Sequence, residues 1–116
     1  MRRALAAASL VWLAVASQAQ FEADLVAGGL SEPIGMTRDP GVPGRYLILE
    51  SHRGLESHVR ILEGTTVHST PFAVITDVGI GAEQGGRGLA LHPAFGVNGY
   101  LYVSYVDPTN RLIVDR

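Results

Sequence analysis

The chain has 116 residues, with 9 basic and 11 acidic side chains, no cysteine, 14 glycines and 6 prolines. That allows one small domain held together without disulfides. Its charge offers no basic face for nucleic acid or anionic lipid.

Met1-Arg2-Arg3 is a basic start, residues 4–16 are apolar, and Ser17-Gln18-Ala19 ends in small residues. This order predicts a signal peptide over 1–19, cleaved before Gln20, with an apolar run too short to span a bilayer. The remaining chain, 20–116, keeps 7 basic against 11 acidic groups, a formal charge of −4. It is expected to be secreted or periplasmic, without an integral membrane segment. All nine basic residues are arginine, which we read as coding bias.

From Phe21, apolar Phe21, Ala23 and Leu25 alternate with Glu22 and Asp24, predicting a half-buried strand closed by Gly28-Gly29. Ser31-Glu32-Pro33 predicts a turn, 34–38 a short strand, and 39–44 a loop with two prolines. Residues 46–50 (YLILE) predict a buried strand, and 51–57 are polar with one glycine. Strands are expected over 59–63 and 72–76, with 67–69 ambiguous, followed by a glycine-rich loop over 77–88. An apolar run at 89–91, a His92-Pro93 corner and a loop ending in Asn98-Gly99 lead into the strongest strand, 100–106. No segment after the leader shows sustained apolar spacing of three and four, so the expected class is all-β.

A repeat runs through this pattern. Ile34-Gly35-Met36-Thr37-Arg38-Asp39-Pro40 aligns with Arg87-Gly88-Leu89-Ala90-Leu91-His92-Pro93, and Val42-Pro43-Gly44 with Val97-Asn98-Gly99. The offset is 53 residues at the prolines and 55 at the glycines. Each copy predicts a hairpin, at a spacing close to that of a propeller blade. A shorter repeat, Glu50-Ser51-His52 and Glu56-Ser57-His58, is too small for a fold unit and reads as a duplication or coincidence in a surface loop.

The run from Glu83 to Tyr105, EQGGRGLALHPAFGVNGYLYVSY, resembles the blade-two signature of the soluble PQQ-dependent sugar dehydrogenases. These are the glucose/sorbosone dehydrogenase-like six-bladed β-propellers. GLSEPIGM at 29–36 is similar to the approach to blade one. The resemblance implies that 20–116 is about the first two blades of a six-bladed β-propeller, all-β, after a helical signal peptide. It implies a secreted or periplasmic quinoprotein oxidoreductase that oxidises an aldose sugar to its lactone, with PQQ as hydride acceptor and with bound calcium. The family's general base and its quinone and calcium ligands belong to later blades, beyond Arg116, so no catalytic, cofactor or metal residue transfers. Glu83 matches a polar residue lining the sugar-binding mouth and is the substrate-binding candidate. Gly86-Arg87 stand where the family has Leu-Leu, and Ala94 where it has Asp. The alternatives are a non-catalytic secreted β-propeller binding domain or an inactive truncated fragment.

Other residues carry less. His92 before Pro93 suits a corner that bonds neighbouring backbone. His52, His58 and His68 have no compact metal-ligand spacing, and Asp77, Glu83 and Asp107 are separate loop carboxylates, not an alternating calcium loop. Gly85-Gly86-Arg87-Gly88 is followed by neither Lys-Ser/Thr nor a helix, unlike a phosphate cradle. Tyr100 and Tyr102 share a strand face, as in ordinary sheet packing. Two blades leave a ring open, so the purified 20–116 segment is expected to show no dye-linked glucose oxidation with added PQQ and calcium; turnover in that assay would refute this.

Overall fold

The computed structural model describes residues 20–116; the expected signal peptide lies outside them. Strands β1 (Pro33–Arg38), β2 (Arg45–Arg53), β3 (Glu56–Glu63), β4 (Thr66–Val67) and β5 (Ala73–Ile75) form one antiparallel sheet. Its order is β1-β2-β3-β4, with β5 pairing the other end of β3. Strand β6 (Gly85–Leu91), one helical turn α1 (Phe95–Asn98), β7 (Leu101–Val106) and β8 (Leu112–Asp115) follow, the three strands forming a second antiparallel sheet in the order β6-β7-β8.

Both copies of the sequence repeat form antiparallel hairpins, β1–β2 and β6–β7. Each is closed by an equivalent backbone bond, Asp39 N–H to the Arg45 carbonyl and His92 N–H to the Tyr100 carbonyl, both 2.9 Å. The tips lie side by side: a Cβ added to Gly41 would stand 3.3 Å from the Gly96 Cα.

The core fills the space between the sheets. Strand period places Leu47 and Leu49 of β2 and Val59 of β3 on one sheet's inner face, opposite Leu101, Val103 and Tyr105 of β7. Val78 and Phe95 close the ends, and Phe95 meets Phe72 with ring centroids 5.8 Å apart. Strand β2 also buries Ile48 and Glu50 on its other face, which explains why 46–50 is apolar without alternation.

Several expectations change. Residues 21–25 form no strand, and Phe21 and Leu25 stand exposed because no neighbouring edge receives them. The glycine-rich loop ends at Gln84, since Gly85 and Gly86 already pair with Val106 and Tyr105. Arg87 is the residue passed over where the register shifts between Gly86 and Gly88; this bulge turns it to solvent. Strand β8 comes from LIVD, a run too short to announce itself. The Glu-Ser-His repeat is not in a surface loop: its copies face each other across the β2–β3 hairpin, Glu50 opposite His58, around the turn at Gly54-Leu55.

The propeller expectation is overturned. The described residues form two separate antiparallel sheets with a single four-residue helical turn, and they show no propeller-type closure. Alternation and turn residues specify hairpins locally; they do not specify how sheets are arranged around an axis.

Truncating Leu49→Ala should cost about 3 kcal/mol, because it opens a cavity between the sheets. Val114→Ala, on an exposed strand position, should stay within about 0.5 kcal/mol. Urea unfolding monitored by circular dichroism checks both, and equal costs would contradict this placement of the core.

Candidate functional site

Four groups of side chains could carry function, and the structure assigns three of them to architecture. The first is the glycine-rich lead-in to β6. Gly85 has φ 89° and sits against His52, so an added Cβ would stand 2.4 Å from His52 Nε2. Gly86 N–H donates to Ser57 Oγ at 2.9 Å, and Ser57 Oγ–H donates to the Ser51 carbonyl at 2.6 Å. His52 Nε2 donates to the Gly79 carbonyl at 2.8 Å, while its Nδ1 meets Glu32 Oε2 at 2.9 Å. This is a polar seam joining the sheets where the chains must approach closely. Glu83 stands on the exposed turn before it, and Gln84 Oε1 accepts the Gly81 N–H at 3.0 Å.

The second group surrounds Glu50, whose side chain is fully buried. Arg53 Nε and Nη2 donate to its two oxygens at 2.8 Å each, Arg60 Nη1 approaches at 3.4 Å, and the Ser31 amide also donates to it. Burial alone would raise its pKa. The Arg53 bonds, the Ser31 amide and the positive charges of Arg53 and Arg60 outweigh that and hold it below the ordinary carboxylate value. Both oxygens are thus occupied in fastening residues 29–31 to the end of β2, helped by Arg53 Nη2 on the Gly29 carbonyl.

The third is Asp107, which closes the β7–β8 turn. Its Oδ1 accepts from the amides of Thr109 and Arg111 and from the Thr109 hydroxyl; its Oδ2 accepts from the Arg111 guanidinium. The Arg111 amide, against the opposing effect of burial and with the Thr109 and Arg111 side chains, lowers its pKa to about 2. On the inner face nearby, the Tyr105 hydroxyl donates to Asp115 Oδ2 at 2.7 Å. That bond, burial and the negative charges of Asp115, Asp77 and Asp107 push the phenol up to about 12, so it stays protonated.

The fourth group is different because it lies on a partly open face, with Ala90, Leu112 and Val114 exposed and Tyr102, Ser104 and Val106 half-buried. Register places Gly88 and Ala90 of β6, Tyr102, Ser104 and Val106 of β7, and Leu112 and Val114 of β8 on the outer face of the second sheet. Leu112 and Val114 are 69% and 65% exposed. None of these seven side chains is charged. At one margin His92 stacks on Tyr102 with centroids 6.3 Å apart and meets Tyr100 edge-on, while the Arg116 guanidinium lies 4.5 Å above the Tyr100 ring. His92 is the corner expected of it: its Nδ1 accepts from the Ala94 amide at 3.0 Å and lies 3.1 Å from Asn98 Nδ2.

Compared with models of known protein families, with curated proteins and with solved structures, the chain matches none. The dehydrogenase resemblance is therefore not supported, and its consequences are withdrawn: the quinoprotein oxidoreductase activity, the PQQ and calcium cofactors, the sugar substrate, and the non-catalytic propeller alternative. Each required a propeller fold, and the two sheets show no such closure. Among the described residues no group of three or more His, Cys, Asp or Glu could hold a metal ion. No helix among them is long and apolar enough to cross a membrane.

Sequence reasoning did not find the outer face. The shared strand face of Tyr100 and Tyr102 suggests ordinary packing, and the apolar run LIV at 112–114 is the further signal in the sequence.

The two buried carboxylates with lowered pKa values, Glu50 and Asp107, make stability fall in acid. Above their ordinary unfolded values, about 4.3 for Glu and 3.9 for Asp, each contribution is complete. As pH drops, the unfolded chain takes up protons first, and the Asp107 contribution is lost down to its folded value of about 2. The thermal midpoint should therefore fall from about pH 5 downward. Asp107→Asn should flatten the low end of that profile, and Glu50→Gln should lower stability at neutral pH by about 3 kcal/mol by stranding Arg60. A profile unchanged by Asp107→Asn would refute the assignment.

Proposed function

We propose that this protein is an exported β-sheet module that works by docking a protein partner on the outer face of its three-stranded sheet. The observation that carries this is the uncharged, contiguous surface of Ala90, Tyr102, Val106, Leu112 and Val114. An exposed apolar patch with a polar margin marks an interaction surface, and tyrosine and arginine at that margin are the residue types interfaces favour. The Tyr-His-Arg stack orders its side chains before binding, which lowers the entropic cost of association. Glu83 belongs to this proposal as a partner-facing residue, because its turn lies beside the Val106 end of the face, where Gly79 N–H donates to the Val106 carbonyl. Export rests on the leader at 1–19, with Gln20 as the expected first residue of the mature chain.

A photo-crosslinking amino acid at position 114 tests the reading in the producing cell. It should give one discrete protein adduct in the exported fraction, whereas the same group at exposed position 65, on the β3–β4 turn, should give none. No adduct from 114, or equal labelling at both positions, would overturn it.

A further inference from the structure

The two copies of the repeat continue past their hairpins into a third strand, β3 in the first sheet and β8 in the second. Val59 pairs with Leu49 and His58 with Glu50; Val114 pairs with Ser104 and Ile113 with Tyr105. The offset of 55 that relates β2 to β7 therefore also relates β3 to β8, residue by residue. In β3 the backbone groups turned away from β2 are used. The Val59 carbonyl accepts the Phe72 amide and the Ile61 carbonyl accepts the His68 amide, both at 2.8 Å. Strand β5 lies along this edge, with Val74 opposite His58 and Ala73 opposite Val59.

The same edge of β8 is open. Among the described residues β8 pairs with β7 alone. The Asp107 amide donates to the Arg111 carbonyl at 2.9 Å, and antiparallel bonding alternates, so it is Ile113 and Asp115 that bond to β7. The backbone groups of Leu112 and Val114 point away from it. The edges of β1 and β6 carry features that resist strand addition: Pro33 beside a register shift in β1, and the bulge at Arg87 in β6. Strand β8 has neither. Next to its open edge a cavity of about 340 Å³ lies between β5 and the inner side of β7 and β8. Buried Leu101, Val103 and Tyr105 form its depth, and its charged groups, Asp77, Asp115 and Arg116, stand exposed at the rim.

Resting on the docking proposal above, we infer how the partner is held: it adds an extended segment to β8 as a fourth, antiparallel strand and seats an apolar side chain in the cavity. Leu112 and Val114 supply the main-chain bonds, as Val59 and Ile61 do in the first sheet. Strand period sends the partner residues opposite Ile113 and Asp115 inward, because Ile113 packs on the core and Asp115 bonds the Tyr105 hydroxyl. Asp115 lines the cavity, so the residue opposite it is the anchor. That anchor is branched or aromatic and uncharged, since the floor it meets is apolar. The residues on the other face of the added strand extend the apolar surface of Leu112 and Val114. The occupant is thus a β-strand former of another protein, taking the place at β8 that β5 takes at β3.

A photo-crosslinking amino acid at exposed position 90, on the outer face but across β7 from β8, reports partner capture in the producing cell. Two changes at Val114 then separate the edge from the face. Val114→Pro keeps an apolar side chain but removes the amide that points to the open edge, and it spares the β7 bonds. Val114→Ala keeps that amide and trims the side chain. The position-90 adduct should fall about tenfold with Val114→Pro and clearly less with Val114→Ala. Both variants should keep the parent's circular dichroism. If Val114→Pro misfolds, hydrogen exchange on the parent protein decides, with a synthetic peptide of residues 70–77, the stretch that holds β5, as the probe. Millimolar peptide should slow exchange at the Leu112 and Val114 amides. A Val114→Pro adduct at the parent's level, an equal loss with Val114→Ala, or exchange that the peptide leaves unchanged overturns strand addition and leaves docking on the face standing. An adduct made of two copies of this chain also overturns it. No adduct from position 90 or position 114 overturns the docking proposal itself.

Discussion

Everything in this protein depends on burying Leu47, Leu49 and Val59 against Leu101, Val103 and Tyr105. Neither sheet could be stable without the other, since a small sheet with two wet faces has nowhere to hide its apolar side chains. With no cysteine to add a covalent restraint, apolar burial is the main favourable term. The two glycines at the lead-in to β6 follow from the same requirement, because Leu49 and His52 occupy the space a side chain there would need.

Polar groups then fix which arrangement of the sheets is adopted. The Gly86–Ser57–Ser51 chain and the His52 bracket join the sheets at one end with directional bonds that apolar contact does not supply. Glu50 is costly to bury and is tolerated only because two arginines and an amide satisfy it. Asp107 does the same for a turn whose amides would otherwise be unpaired. The ionisable groups with the largest reasons to look catalytic are thus spent on holding the chain in place.

What remains is a difference between faces. The inner faces are covered; the outer face of the second sheet is apolar, uncharged and partly open. A function built on surface complementarity follows more directly from this geometry than one built on a pocket.

The sequence by itself determined the local pieces. The alternation in 100–106, the turn residues at Gly64 and Gly99 and the paired hairpins were legible, because side-chain period and positive-φ glycines act over a few residues. The His92 corner was legible for the same reason. The tertiary structure alone decided that Glu50 is a buried anion, that Gly85 and Gly86 serve close approach, that 21–25 finds no partner strand, and that LIVD becomes an edge strand. It also decided that two hairpins make two packed sheets and not part of a ring. Those outcomes depend on which faces meet across the chain, and contacts between residues far apart in sequence leave little trace in any short stretch of it.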